Sequence, residues 1–396
     1  RMGKRDMTSI PFGPNPLVLI YGTALISVMG VAGILPVLPA MGKAFGLPPS
    51  SLGLLVISFT LPGIVLAPVG GVLADRLGRK AVLAPCLCLF ALGGLAGALS
   101  DTLAALLFWR VIQGCGAACL GVLYNTIIAD IYRSDEERLR IMGFAATTLS
   151  LGAAIYPALG GLLGEWGWRF PLLLSLSALP LAGIVLRTVI PPLDRRHDMQ
   201  AYARNAVEIV KHPRTLGHFL ITLCAFGILY GPMITYFPLL ADSRFEASPS
   251  RIGSIFAMAS IGTAVASCLL GRLARRCSPR TMVVVGSAFF GLSMLLMPLA
   301  GRGSNVWFCV LPVLLYGLGQ GVVYPTVMSS LSTAAPPEGR GIIMAVNGTI
   351  LRLAQTISPP LCGVLFASGG FSGVYLLGTA MAAAMLWTAT RVFHHK

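Results

Sequence analysis

The sequence predicts an all-α polytopic membrane protein, with twelve transmembrane helices arranged as two pseudo-symmetric six-helix bundles. Three observations carry that prediction. The 396-residue chain is 56% hydrophobic and only 11% charged, whereas soluble domains carry about 25% charged residues. Its apolar residues gather into runs of about 20, the length that lets a helix cross the hydrocarbon core. Landmarks of the first half also recur in the second, about 200 residues on.

Taken in order, the first span (17–38) ends in "GILPVLP", where two prolines stop regular helix. The second (52–74) runs into the polar loop "GGVLADRLGRK" at 70–80. Only Ser100 and Asp101 separate the third (81–99) from the fourth (102–128), so those two run antiparallel. The fifth (140–163) holds "GAAIYPALGG", and the sixth (168–190) stops at Pro191 and Pro192. Residues 191–214 form the longest connection, with room for a short surface helix near 198–211. The remaining spans are 215–240, 251–273, 281–300, 306–330, 341–366 and 372–391. The organisation is therefore a bundle over 1–190, a cytoplasmic linker over 191–214 and a second bundle over 215–396.

The repeat is visible in three places. "GGVLADRLGRK" (70–80) returns as "LGRLARRCSPR" (270–280). "EERLRIMGFAATTLSLGAAIYPALGG" (136–161) returns as "EGRGIIMAVNGTILRLAQTISPPLCG" (338–363), which sets Pro157 over Pro359. "GILPVLP" faces "MITYFPLL" (233–240), with Pro36 over Pro238. Duplication on this scale is typical of alternating-access transporters, whose substrate site lies between the halves near mid-membrane.

Charge sets orientation. With the N-terminus inside, 22 of the 29 basic residues fall in cytoplasmic segments and five outside. Both termini are thus expected in the cytoplasm. The net charge of +15 follows this pattern, in clusters between spans, and does not suggest nucleic acid. The first apolar run is too long for a removable signal peptide and lacks its cleavage site. Nine cysteines lie mostly inside apolar runs and read as small packing residues. No metal or cofactor is implied.

Over nearly its whole length the chain resembles the major facilitator superfamily, most closely its twelve-helix drug:proton antiporters. Four stretches carry the resemblance. Gly71, Asp75, Arg76, Gly78, Arg79 and Lys80 of "GGVLADRLGRK" match the loop between the family's second and third helices. Arg110, Gln113 and Gly114 of "RVIQG" match its fourth-helix arginine motif. Gly152, Pro157, Gly160 and Gly161 are similar to the fifth-helix motif of drug exporters, with Tyr156 where a glycine is expected. "GILPVLP" resembles the end of the first helix in the antiporters. The resemblance implies that the 70–80 loop is a latch between the halves, holding the outward-open state, with Asp130 as companion. A plain topology signal is the alternative. For the fifth-helix residues, gating and simple packing are both open.

Two arginines lie inside spans, where a charge costs about 2.5–3.5 kcal/mol on insertion scales. Arg110 shares a helical face with Gly114, Ala117, Gly121 and Tyr124, with Asn125 at its edge, which reads as cavity lining. Arg352 shares one with Gln355, Thr356 and Pro359. None of the fourteen acids lies near mid-span, so the chain buries two cations and no anion. Either each arginine is a structural pin on backbone carbonyls, or the cavity is electropositive and accepts anions and polar neutral molecules. Tyr230, Tyr316, Gln320 and Tyr324 add an aromatic, amide-rich wall suited to an amphipathic molecule. The candidate substrate-binding set is Arg110, Gln113, Tyr124, Asn125, Tyr230, Tyr316, Gln320, Tyr324, Arg352 and Gln355.

Together these observations point to a secondary-active transporter in the inner membrane. It is expected to export neutral or anionic amphipaths in exchange for protons, with uptake or uniport of an organic anion as the alternative. Enzyme chemistry is not expected, because the chain has no His-Glu-x-x-His, no Gly-x-Ser-x-Gly and no paired mid-span acids.

Overall fold

The computed structural model describes residues 16–132, 134–188, 212–334 and 340–392. Among them there is no strand, and eleven helices are long and apolar enough to cross a membrane. We number the crossings α1 (Pro16–Ala44), α2 (Pro49–Leu77), α3 (Arg79–Ala98), α4 (Leu103–Ile131), α5 (Glu136–Gly164) and α6 (Phe170–Arg187). The second half continues with α7 (Pro213–Phe245), α8 (Pro249–Arg276), α9 (Pro279–Ala300) and α10 (Val306–Leu331).

The last helix, Arg340–Val392, is 53 residues long, about twice what one crossing needs. It breaks at Gly370, whose φ of 57° and ψ of −149° no other residue adopts cheaply. Past the break the chain turns back, so that a side chain at Gly373 would meet the Leu365 carbonyl. This gives α11 (340–369) and α12 (371–392), and twelve crossings as the sequence predicts. The expected linker helix lies outside the described residues.

Proline shapes two helices that matter for the site. Regular helix in α1 ends at Ala32, and a 3₁₀ turn over Leu35–Val37 carries the chain past Pro36. In α7, Leu229–Tyr236 widens into a π-helical stretch around Pro232, which can donate no backbone hydrogen bond. Ser358 Oγ of α11 donates to the Gly227 carbonyl, five residues before Pro232, at 2.6 Å, and Thr235 Oγ1 donates to the Tyr230 carbonyl at 2.7 Å.

The halves meet through two exchanged contacts that repeat each other. Gly253 of α8 abuts the Pro157 carbonyl of α5, and Gly53 of α2 abuts Pro359 of α11. Gly161 of α5 abuts Pro249 and Ser250, while Gly363 of α11 abuts Ser50. The absence of side chains at these points lets the backbones touch. With an even number of crossings, residues 16 and 392 lie on one side, the termini side, and all four contacts lie toward the other. On that far side Lys43 Nζ pairs with Asp242 at 2.8 Å, and the Tyr236 hydroxyl donates to the Pro49 carbonyl at 3.4 Å. The hydrogen bonds and ion pairs seen between the halves lie on the far side, at Lys43–Asp242, Tyr236–Pro49 and Glu165–Ser250, and at mid-depth, at Thr60–Thr356. They seal the far side.

Candidate functional site

Arg352 is the residue that joins the two halves at mid-depth. It leaves α11 and lies against the first half, where glycines make room. A β-carbon on Gly63 of α2 would stand 3.2 Å from Arg352 Cδ, and one on Gly121 of α4 would stand 3.7 Å from Nη2. Its Nη1 donates to Gln355 Oε1 at 3.3 Å. One turn on, Thr356 Oγ1 donates to Thr60 Oγ1 of α2 at 3.3 Å, bridging the halves. Tyr230, presented by the π-helical stretch of α7, interacts with both Arg352 and Gln355.

An aromatic wall continues from there along α10. Tyr316 is buried, packs edge-on against Phe290 at 5.3 Å and neighbours Tyr230. The Tyr316 hydroxyl and Gln320 Oε1 are both buried without a hydrogen-bond partner. Tyr324 packs edge-on against Phe226 at 5.4 Å and interacts across the halves with Tyr124 of α4. Asn125, beside Tyr124, donates to the Gly121 carbonyl at 3.1 Å. Of the ten predicted substrate residues, Arg352, Gln355 and Tyr230 lie together where α11 meets the first half, Tyr124 and Tyr324 meet across the halves with Asn125 beside them, and Tyr316 adjoins Tyr230 within the second half.

Arg110 and Gln113 do not join them. Arg110 is fully buried within the first half. Its Nη1 donates to the Gly30 carbonyl at 2.9 Å and to Gln113 Oε1 at 2.7 Å, and its Nε donates to the Leu55 carbonyl at 3.4 Å. The Phe59 ring covers the guanidinium at 4.5 Å. The cause lies in α1: a helix end leaves its last carbonyls free, and the break after Ala32 exposes that of Gly30. The predicted single lining face of α4 accordingly divides. Gly114 packs against the Phe59 backbone of α2, and only its Gly121–Tyr124 end meets the second half. Among the described residues neither Arg110 nor Arg352 has a carboxylate within ion-pair distance.

The 70–80 loop closes on its own half. Arg79 pairs with Asp75 at 2.5 Å and with Asp130 at 2.8 Å. Gly78 takes a φ of 92° to turn the chain between α2 and α3. Gly71 faces Val122 of α4, while Arg76 is exposed and Lys80 half-buried. In α5, Gly152 lies near Val28 and Gly160 abuts Gly33, both of α1, whereas Pro157 and Gly161 meet α8. Sequence reasoning did not find the contacts Thr60–Thr356, Lys43–Asp242 and Glu165–Ser250, nor Cys119 beside Arg352. They join residues far apart in the chain, and no local pattern marks them.

With this geometry in place, comparison with known proteins is informative. The model of the Major Facilitator Superfamily matches residues 20–246 and 242–395. Multidrug resistance protein 2 of Bacillus subtilis (strain 168) is 26% identical, over 88% of this chain and 88% of its own. Quinolone resistance protein NorA of Staphylococcus aureus is 23% identical, over 93% and 95%. The crystal structure of a D-xylose-proton symporter superposes with a TM-score of 0.75 at 18% identity, covering 93% of this chain and 96% of that one.

Proposed function

The chain belongs to the Major Facilitator Superfamily, and on that premise we propose that it exports amphipathic small molecules, neutral or anionic, in exchange for protons. The fold is a multi-pass membrane transporter's. Arg352 carries it: a cation with no carboxylate in ion-pair distance among the described residues, at mid-depth, touching both halves at once. A guanidinium fork matches a carboxylate or phosphate, and a ligand held by it would contact both halves as they rock. The partnerless Tyr316 hydroxyl and Gln320 carbonyl support a polar ligand as well, since a buried polar atom left unpaired costs about 1–3 kcal/mol.

Export is supported by the relatives, two of which are named for drug resistance. With 22 of 29 basic residues on the termini side, that side is read as cytoplasmic and the sealed side as external. The conformation is then inward-facing. A latch released from the second half fits that state: among the described residues Arg79 pairs with Asp75 and Asp130, all three in the first half. Asp75 and Asp130 are the acids through which proton exchange would run. Arg110 is read as a pin.

The test is transport in oriented vesicles carrying the full chain. A carboxylate-bearing amphipath should move out of the cytoplasmic side and stop moving when an ionophore collapses the proton gradient. Movement that persists removes the antiport; accumulation in the opposite direction removes export.

A further inference from the structure

At the far side of the second half, α7, α9 and the α11–α12 turn enclose a cavity of about 330 Å³. Ligand pockets run from about 300 to 1,000 Å³. Leu240, Phe366 and Phe371 line it with apolar surface; Arg244, Arg302 and Ser372 give it polar groups. No carboxylate lines it, and neither arginine has an ion-pair partner among the described residues. Both arginines line one space, and no carboxylate lines it with them.

Their position sharpens the point. Only five of the 29 basic residues lie on the far side, and two of the five line this cavity. Topology alone selects against them there. Trp307 and Phe308, on the same side, are 53% and 56% exposed, as aromatic side chains at a bilayer interface are. The cavity therefore sits at headgroup level, with two arginines and an apolar surface in its lining.

We infer that this cavity binds the phosphate head of an anionic amphipath, with Arg244 and Arg302 on the phosphate oxygens and the apolar chain along Phe366 and Phe371. The site is separate from Arg352 and does not depend on the transport reading. Two sources share this chemistry: an anionic phospholipid of the surrounding bilayer, and a soluble phosphate monoester.

The full chain in neutral detergent is titrated with dioctanoyl phosphatidylglycerol, glycerol 3-phosphate and dioctanoyl phosphatidylcholine, read by native mass spectrometry and thermal shift. The wild type is run beside R244Q/R302Q, and beside R169Q, which removes a far-side arginine outside the cavity. Phosphatidylglycerol should bind the wild type and R169Q alike and lose about tenfold or more in the double variant. Glycerol 3-phosphate binding as tightly assigns the site to soluble esters; weak binding assigns it to lipid. Equal phosphatidylglycerol binding by all three proteins, or equal binding of phosphatidylcholine, overturns the inference. Should the double variant fail to fold, Ser372→Trp keeps both arginines and fills the mouth. It should lose phosphatidylglycerol, and retained binding also overturns the inference.

Discussion

Glu165, the residue just past the end of α5 in the first half, accepts a hydrogen bond from the backbone N–H of Ser250 at 3.1 Å, at the start of α8 in the second half. The first turn of a helix has N–H groups without partners and a partial positive charge, so a carboxylate there stabilises it. Here that carboxylate comes from the opposite bundle. Opening the far side must break this cap and the Lys43–Asp242 pair together.

The cap has a defined pH dependence. Hydrogen bonds from Ser250 hold the Glu165 carboxyl below its ordinary 4.5, helped by Ser248 and Arg251. A carboxyl depressed in the sealed state contributes fully above its ordinary value, and that contribution fades as pH falls through the depressed one. Far-side opening, followed by the distance between spin labels on the far ends of α5 and α8, should therefore show no Glu165-dependent change from pH 8 to 5. Below about pH 4.5 the wild type should approach Glu165→Gln. A Glu165-dependent transition near neutrality would sink this account.

Adjacent glycines of α5 should behave differently. A β-carbon at Gly160 would press on the Gly33 backbone within the first half, while one at Gly161 would press on Pro249 and Ser250 of the second. Gly160→Ala should lower the melting temperature in detergent. Gly161→Ala should leave it closer to wild type and raise far-side thiol accessibility. Equal loss of stability in both would deny α5 its conformational role.

Arg110 is predicted to be a pin. Arg110→Met strands the Gly30 carbonyl and removes three charge-assisted bonds. The expected destabilisation is about 3 kcal/mol or more. Ligand affinity of the protein that still folds should be little changed. A stable variant with selectively weakened anion binding would return Arg110 to the substrate site.

The two acids on Arg79 are not equivalent. Asp130 is 4% exposed and Asp75 47%. Removing one partner of a buried pair costs about 3–5 kcal/mol, against about 0–1 kcal/mol for an exposed pair. Asp130→Asn should lower thermal stability clearly, and Asp75→Asn should lower transport while leaving stability and ligand binding near wild type. The reverse order would contradict the burial.

The spans were legible because lipid leaves few options: every backbone polar group must be satisfied inside the helix, so apolar runs of the right length are crossings. The predicted fourth span, 102–128, is observed as Leu103–Ile131, and the ninth, 281–300, as Pro279–Ala300. The shared helical face of Tyr316, Gln320 and Tyr324 was legible as well, because spacing along one helix fixes it. What sequence could not supply was the partner of each helix. The face of Arg110, Gly114 and Tyr124 is continuous on α4, but α2 crosses α4 and covers Gly114, leaving the Tyr124 end to meet the second half. Arg110 finds its acceptor through a break in α1, at the Gly30 carbonyl eighty residues away. Thr60 and Thr356 are 296 residues apart and meet only because the halves pack.

The central claim, that Arg352 receives the substrate's acidic group between the halves, is tested most directly by binding. A carboxylate-bearing amphipath and its uncharged amide are titrated into the detergent-purified wild type and into Arg352→Gln, with unliganded melting measured for both. The account predicts that the carboxylate loses about tenfold or more in affinity, since hydrogen bonds to charged groups contribute about 1.5–3 kcal/mol, while the amide changes little and both proteins melt alike. Equal affinity of the carboxylate for both proteins would contradict it.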